Sequence, residues 1–397
     1  MAKRMELNVL VQSVGNLSVG AINDFIFSSD SPRLVLVYSC IKSDAQCIGF
    51  FEELVNGLNL PFVGTRSTGV FTPKGFVKDG VVVGVLCGDF KVDVFRQSLG
   101  FDDMDNVVDT LSPKINGKKL CLVHSANQYP VNIVLDELLR RLNSRSPDTQ
   151  FVGGVSAPNP MIASREGIFN NMVVFTILEG LSPEYGMYTG YTLDDDSDEY
   201  AVTKSDNRSI REINGENAAK FFSGMYHVRP YFWNMVTSLT SKSGLAELFS
   251  GLAKANKNMF NIIIRGSLNP PALKLRDGTV DPLYVLTIDE AESRLNICHY
   301  MREGSILKKS SSSEEELLKV YDKLCRDFKD AKSLLIFKCA MLPILYDLRH
   351  DKVSGKLRKL KMPLLLVYAW GEIGAPTPFN EKKDYALHAG SLQALGF

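Results

Sequence analysis

Residues Gly64–Gly69 place three hydroxyl groups between two glycines, within the segment FVGTRSTGVFTPKG. Thr65, Ser67 and Thr68 can donate and accept hydrogen bonds, and Arg66 adds a permanent positive charge. An apolar run precedes the segment, which indicates a loop at the end of a strand, where open α/β sheets tend to bind ligands. Two interpretations stay open: a binding loop whose glycines let the backbone approach a ligand, or a tight turn whose hydroxyls cap loop amides.

The spacing of this segment disfavours the common phosphate and nucleophile motifs. A P-loop needs lysine and then serine or threonine after its second glycine, and Val70 and Phe71 stand there. A dinucleotide fingerprint must open a helix, whereas this segment leads through Pro73-Lys74-Gly75 into another apolar run. A nucleophile elbow needs GxSxG between a strand and a helix, which Arg66-Ser67-Thr68 does not match.

Two further glycine-containing segments take the same place later in the chain. The run QFV leads into Gly153, Gly154 and Ser156, and the run PLLLVYAW leads into Gly371 and Glu372. A carboxylate in an apolar run needs a partner, so Glu372 either binds a ligand ammonium or accepts structural hydrogen bonds from loop amides. The glycines and serine of the middle segment form either a ligand loop or a tight turn.

A thiol and an imidazole stand near the last of these segments. Cys339 follows the apolar run LLIFK, as Cys40 follows LVLVYS. A thiol at a strand end can be activated by the next helix, or it can be small buried packing. His388 lies in the final predicted strand, where it either faces the loop of Glu372 or is a core histidine. We expect no enzymatic activity, with a cysteine-dependent reaction as the minor alternative.

Three repeated units position these segments. Each has a buried strand, a helical stretch, a second buried strand, a glycine-containing loop and one more apolar strand. The first strands are LVLVYSC, LCLVHSA and LLIFKCA. A strand-helix-strand unit implies a parallel strand pair with its helix packed on the sheet. The sequence therefore predicts a two-part α/β architecture with mixed sheets, and strand polarity predicts that the three glycine-containing loops converge.

The chain between the second and third units follows other patterns. Pro282–Met301 is predicted to be a hairpin that turns near Glu290–Ser293. Ser313 and Glu316 form a capping box at the start of an amphipathic helix. Val228–Phe260 is predicted to be a packed helical cap, with a mobile lid or a surface that binds a partner as the alternative.

Composition limits the possible classes of function. Lys+Arg and Asp+Glu number 45 each, so the chain has no global charge that would attract nucleic acid or an acidic membrane. The seven cysteines form no CxxC pair and the five histidines lack ligand spacing, which disfavours disulfides and a metal site. No cofactor is expected. Without a signal peptide or an apolar run of about 20 residues, a cytoplasmic location is expected.

The order of these motifs resembles the FIST family, in both its N-terminal and its C-terminal parts. The N-terminal likeness is carried by LVLVYSC, the helix Cys47–Leu58, GTRSTGV, GVVVGVL and Val152-Gly153-Gly154. The C-terminal likeness is carried by IREINGENAAKFF, YMREGSIL, Cys339, Gly371-Glu372-Ile373 and His388. The resemblance divides the chain into an N-terminal segment (1–32), a FIST N-terminal domain (33–204) and a FIST C-terminal domain (205–397) with a helical insertion at 228–260.

The resemblance implies an intracellular sensory module that binds a small molecule, an amino acid or small carboxylate, and signals through another protein. Such a module would stand alone, without a kinase or F-box segment. The expected binding residues are Gly64, Thr65, Arg66, Ser67, Thr68, Gly153, Gly154, Ser156, Cys339, Gly371, Glu372 and His388. Three positions depart from the family pattern: Arg66, Val70 and Ala340. The unusual Arg66 would favour a ligand carboxylate.

A different class of function is also compatible with the sequence. The protein would then be an interaction scaffold in ubiquitin-type protein turnover, without a small ligand. Phe232 and Trp233, within Val228–Phe260, would contact the partner.

Overall fold

A computed structural model describes residues 5–98, 104–117, 120–126, 131–156, 160–231, 233–234, 269–274, 278–340, 350–374, 386–388 and 391–397. The helices are α1 (Val19–Phe27), α2 (Asp44–Gly57), α3 (Met104–Ile115), α4 (Val131–Arg145), α5 (Ala218–Tyr226), α6 (Glu314–Asp327) and α7 (His350–Leu357). Short 3-10 turns span Val14–Asn16 and Arg358–Leu360.

The strands alternate with these helices along the chain. Those of the first half are β1 (Met5–Gln12), β2 (Pro32–Ser39), β3 (Phe62–Arg66), β4 (Val70–Thr72), β5 (Gly75–Val77), β6 (Val81–Gly88), β7 (Lys91–Ser98), β8 (Leu120–Ser125), β9 (Gln150–Val155), β10 (Ile162–Ser164), β11 (Gly167–Phe169), β12 (Met172–Glu179), β13 (Glu184–Thr189) and β14 (Tyr191–Leu193). Those of the second half are β15 (Tyr200–Ser205), β16 (Asn207–Ile213), β17 (Glu216–Asn217), β18 (Pro271–Lys274), β19 (Val280–Pro282), β20 (Val285–Asp289), β21 (Arg294–Met301), β22 (Ile306–Ser312), β23 (Leu334–Cys339), β24 (Leu364–Ala369), β25 (Glu372–Gly374), β26 (Ala386–His388) and β27 (Ser391–Gly396).

The predicted α/β class with mixed sheets is confirmed. Each repeated unit contains one parallel strand pair: β2 with β3, β8 with β9, and β23 with β24. The last strand of each unit, β6, β12 or β27, lies antiparallel beside the first strand. The connecting helices are α2, α4 and α7, so the strand-helix-strand pattern of the sequence is present three times.

Each unit also contains a hairpin that pairs with a strand in the sheet of another unit, and these three are called the exchanged hairpins. Hairpin β4–β5 pairs with β24, β10–β11 pairs with β3, and β25–β26 pairs with β9. Three six-stranded sheets with one common plan result: β1-β6-β2-β3-β10-β11, β7-β12-β8-β9-β25-β26 and β13-β27-β23-β24-β4-β5. The second and third sheets contain strands from both sides of residue 204, and β1 of the N-terminal segment belongs to the first sheet.

The three sheets share one apolar core. Tyr38, Leu122 and Phe337, one from the first strand of each unit, belong to this central cluster. Helices cover the outer faces: α2 packs on the first sheet, α3 and α4 on the second, and α6 and α7 on the third. Because the parallel strands are buried on both faces, they form continuous apolar runs in the sequence.

A fourth sheet lies between the second and third units along the chain. Its order is β19-β18-β22-β15-β16-β21-β20, with β14 on β22 and β17 on β16. The predicted hairpin is confirmed as β20 and β21. The predicted helix cap is also confirmed, because the Glu316 amide donates to Ser313 Oγ at 3.1 Å.

Part of the segment proposed as a partner surface belongs to the core of this fourth sheet. Trp233 is buried, its Nε1 donates to the Val285 carbonyl at 3.0 Å, and its ring packs against Phe222. Trp233 is therefore not available on the surface for a partner. Phe232 and residues 235–260 lie outside the described residues.

Two predictions of loop position are corrected by the strand pairing. Gly64–Arg66 ends β3, Gly153–Val155 ends β9, and Glu372–Gly374 is β25 itself, so the glycine-containing segments are mostly strand. The exchanged hairpins supply the hydrogen bonds that keep these segments extended. The predicted final strand divides into β26 and β27, which places His388 in the exchanged hairpin rather than in the last strand.

Candidate functional site

The three exchanged hairpins differ in chemistry at one equivalent position. The first residue of each hairpin lies directly opposite the last: Val70 and Val77, Ile162 and Phe169, Glu372 and His388. Residues opposite one another in an antiparallel pair share one face of the sheet. A carboxyl group and an imidazole therefore lie side by side where the other two hairpins have only apolar side chains.

Glu372 is fully buried and only half of its carboxyl group is paired. Its Oε2 accepts hydrogen bonds from the Ser391 amide and hydroxyl, both at 3.1 Å. Its Oε1 has no partner among the described residues. Burial raises the pKa of Glu372 well above its usual range, against the smaller opposing effects of the Ser391 hydrogen bonds and the Lys338 charge. The carboxyl group therefore favours its protonated form.

His388 is oriented by a carboxylate of the fourth sheet. Its Nδ1 lies 3.0 Å from Oδ1 of Asp281, and both side chains are buried. A carboxylate oxygen only accepts, so Nδ1 carries the ring proton and Nε2 is the acceptor of the neutral ring. Nε2 has no partner among the residues that the structure describes.

Lys338 was not predicted as a site residue, although it is the one charged residue in the run LLIFKCA. It is 1% exposed, and its amine contacts the Tyr321 hydroxyl. Nζ also lies 4.6 Å and 5.7 Å from the ring centroids of Tyr321 and Tyr368. Burial lowers the pKa of Lys338 to about 7, although Cys339 and Glu372 favour the charged form. A weakly basic amine and a weakly acidic carboxyl thus affect each other's pKa.

A chain of hydrogen bonds fixes the paired oxygen of Glu372. The Tyr185 hydroxyl donates to Gln393 Oε1, Gln393 Nε2 donates to Ser391 Oγ at 3.0 Å, and Ser391 donates to Glu372. Ser391 also lines a small cavity of about 10 Å³ with Tyr321 and Lys338. That cavity has room for about one water molecule.

The three predicted segments do converge, through their backbones. Ser67 Oγ donates to the Tyr368 carbonyl at 2.8 Å, and Ser156 Oγ lies 3.2 Å from the Arg66 carbonyl. The Val155 amide donates to the Gly371 carbonyl at 2.9 Å. The two serine hydroxyls are therefore used within the protein. Of the two predicted threonines, Thr65 is buried and Thr68 is exposed.

The glycines of the first two segments allow close packing of the protein against itself. A Cβ on Gly64 would lie 2.9 Å from Phe51 Cε1, and one on Gly154 would lie 2.7 Å from Ala369 Cβ. A Cβ on Gly153 would collide with the Val123 carbonyl. Protein atoms fill the space beside all three residues.

The charge of Arg66 is paired inside the protein. Its guanidinium contacts Asp44 at the start of α2 and donates to the Ile41 carbonyl at 2.9 Å. The side chain is 9% exposed. Arg66 thus links the end of β3 to the loop before α2, and its guanidinium group binds oxygen atoms of the protein.

The two predicted thiols lie in apolar surroundings. Cys339 is buried in a small cluster with Tyr191, Val280 and Leu317. Burial raises the pKa of Cys40 to about 12. Burial therefore keeps Cys40 in the thiol form at neutral pH, which is the less reactive form.

A second buried pair lies in the same row of the second sheet as Glu372. The register places Glu372 opposite Gly154, and Gly154 opposite His124. His124 Nε2 lies 3.0 Å from the Tyr38 hydroxyl, and burial lowers the pKa of His124 to about 4. Sequence reasoning missed this pair, since only its position on an inward strand face distinguishes it.

Neither a membrane-spanning helix nor a metal site is present among the described residues. No helix there combines the length and apolar character needed to cross a membrane. No group of three or more His, Cys, Asp or Glu side chains in the same part of the chain is arranged to hold a metal ion.

Comparison with known proteins identifies one region of the chain. Residues 33–216 match the family model of the FIST N domain. No curated protein matches the chain. The matched region contains the first two repeated units and reaches the fourth sheet. FIST domains are generally sensory, signal-transduction domains. The chain therefore contains, at residues 33–216, a region similar to the FIST N domain.

Proposed function

We propose that the protein is an intracellular sensor that binds a small molecule with a positively charged nitrogen, such as an amino acid, at Glu372. The observation that carries this proposal is the buried Oε1 of Glu372, which has no partner among the described residues. A buried polar atom left unpaired costs about 1–3 kcal/mol. The two equivalent hairpins avoid that cost with Val70 and Ile162.

A cationic ligand would relieve the electrostatic cost of this site. A positive nitrogen at Oε1 favours the ionised carboxylate, so binding would expel the proton that burial retains on Glu372. Lys338, which lines the same small cavity as Ser391, would then donate to a ligand carboxylate. An amino acid carries both of these groups.

The proposal has a consequence for the rate of binding. Glu372 and His388 are 0% and 1% exposed, so the covering groups must move before a ligand can enter. Binding that requires such a change is slower than binding to a site that is already open. The same movement would provide the signal that a downstream protein reads.

A thermal-shift panel of amino acids, simple amines, small carboxylates and nucleotides tests the proposal. A native-state ligand at a hundred times its Kd stabilises the protein by about 2.7 kcal/mol. Amine-bearing compounds should raise the Tm of the wild type and of the exposed control Glu6→Gln, and should fail with Glu372→Gln. A flat panel on ligand-free protein, or shifts that persist in Glu372→Gln, would contradict the proposal.

A further inference from the structure

We infer that His388, held by Asp281, is a second acceptor at this site, so that the ligand presents two N–H donors on one side. The inference rests on the proposed function and names the ligand group more closely. A primary ammonium, an amidinium or a guanidinium fits this description. A quaternary ammonium of the same charge does not, because it has no N–H.

The register of the exchanged hairpin brings the two acceptors together. Glu372 and His388 are directly opposite in β25 and β26. Opposed residues of an antiparallel pair have Cα atoms about 4.5–5.5 Å apart and side chains on one face. Both side chains are buried, and each has one polar atom without a partner in the described part of the chain: Oε1 of Glu372 and Nε2 of His388.

The neighbours of these two residues fix which atoms remain to accept. Ser391 occupies Oε2 of Glu372 with two donors, so the proton of the neutral carboxyl lies on Oε1, and Oε1 becomes an acceptor when a cationic ligand displaces that proton. Asp281 occupies Nδ1 of His388, so the lone pair of Nε2 is left. Two acceptors on one face are satisfied by a group with at least two N–H donors directed the same way. A guanidinium presents such donors as a planar fork.

The groups that orient Glu372 and His388 come from different parts of the fold, which supports a binding site and not a chance feature of one strand. Ser391 belongs to the third unit, whereas Asp281 belongs to the fourth sheet, 107 residues away from His388 in sequence. The hairpin itself lies in the second sheet. Three parts of the fold therefore converge to leave these two atoms free.

Calorimetric titration with methylammonium, methylguanidinium and tetramethylammonium tests the inference. The wild type should bind the two N–H probes at least about tenfold more tightly than tetramethylammonium, the loss expected for one charge-assisted hydrogen bond. His388→Leu should weaken the N–H probes by about tenfold or more. His388→Gln, which keeps an acceptor oxygen, should retain more affinity than His388→Leu.

A second measurement needs neither a ligand nor a variant, so poor folding of a variant does not affect it. ¹⁵N NMR of the wild-type protein, at a pH where the His388 ring carries one proton, should place that proton on Nδ1. A proton on Nε2 would overturn the inference, because that atom would then donate.

The outcomes separate this inference from the function on which it rests. Binding that Glu372→Gln abolishes but His388→Leu leaves unchanged would overturn the role of His388 and keep the sensor. Equal affinity of the wild type for tetramethylammonium and methylguanidinium would do the same. Absence of binding by all three probes in the wild type would overturn both.

Discussion

Hairpins β10–β11 and β25–β26 occupy the same place in the fold and differ in chemistry. Each leaves its own unit and pairs with the second parallel strand of another, β3 or β9. Ile162 lies opposite Thr65 in the first case, and Glu372 lies opposite Gly154 in the second. Because the apolar hairpin makes the same connection, the fold does not require Glu372 or His388, and their presence calls for a functional reason.

The two hairpins also differ in the residues around them. Ser391, which donates to Glu372, stands at the start of the last strand of the third unit, and Met172 takes the equivalent place in the second unit. The register also places Ser125 where the third unit has Lys338. Polar groups that reduce stability are retained mainly where activity needs them. The polar character of the third hairpin is thus matched by its neighbours.

The largest effect is expected from making the apolar hairpin resemble the polar one. Ile162→Glu should destabilise the protein by about 4 kcal/mol or more, because a buried carboxyl there lacks the donors of Ser391. Urea unfolding followed by circular dichroism measures the loss. A loss below about 1 kcal/mol would show that this position tolerates a carboxyl, and the contrast between the hairpins would disappear.

The reverse change should remove the function at little cost in stability. Glu372→Leu should change the free energy of unfolding by less than about 1 kcal/mol, because it removes the unpaired Oε1 but leaves the Ser391 amide and hydroxyl without their acceptor. The same variant should give no thermal shift with the amine probes. A loss of more than about 3 kcal/mol would show that Glu372 serves the fold.

The buried lysine predicts a particular pH dependence of stability. Its folded-state pKa of about 7 lies below the ordinary lysine value, so the unfolded chain binds more protons between pH 7 and about 10.4. Wild-type stability should therefore gain up to about 1.4 kcal/mol per pH unit across that window from this one group. Lys338→Met should lose that gain, and the exposed control Lys91→Met should keep it. Equal slopes in the wild type and Lys338→Met would contradict the assignment.

The smallest effect concerns Cys40, the thiol that follows β2, the first strand of the first unit. Cys40 is buried and its pKa is raised to about 12, so iodoacetamide should alkylate it slowly at neutral pH. The half-exposed Cys325 should react faster in the same folded sample. Mass spectrometry after timed labelling compares the two. Faster labelling of Cys40 would favour the cysteine-dependent reaction.

The repeated units could be predicted because their signals are local. Buried parallel strands form continuous apolar runs in the sequence. The pair Ser313 and Glu316 indicates the start of a helix within four residues. Glu372 and His388 were also recognised as site candidates, because ionisable groups in apolar runs require partners.

The exchange of hairpins could not be predicted, because it depends on pairing between distant strands. Local pattern does not show that β10 joins β3 or that β25 joins β9. Asp281 and Ser391 were missed for the same reason, since their roles appear only once the fold brings them to the hairpin. The glycines were read as loop residues, although they lie in strands that need close approach.

Proton release on binding tests the central claim, that Glu372 of the third hairpin holds a positively charged nitrogen. Methylguanidinium should be titrated into the wild type by calorimetry near pH 6, in two buffers with different ionisation enthalpies. Because burial holds a proton on Glu372, the account predicts a release that approaches one proton per bound ligand. Binding without proton release, or no binding at all, would contradict it.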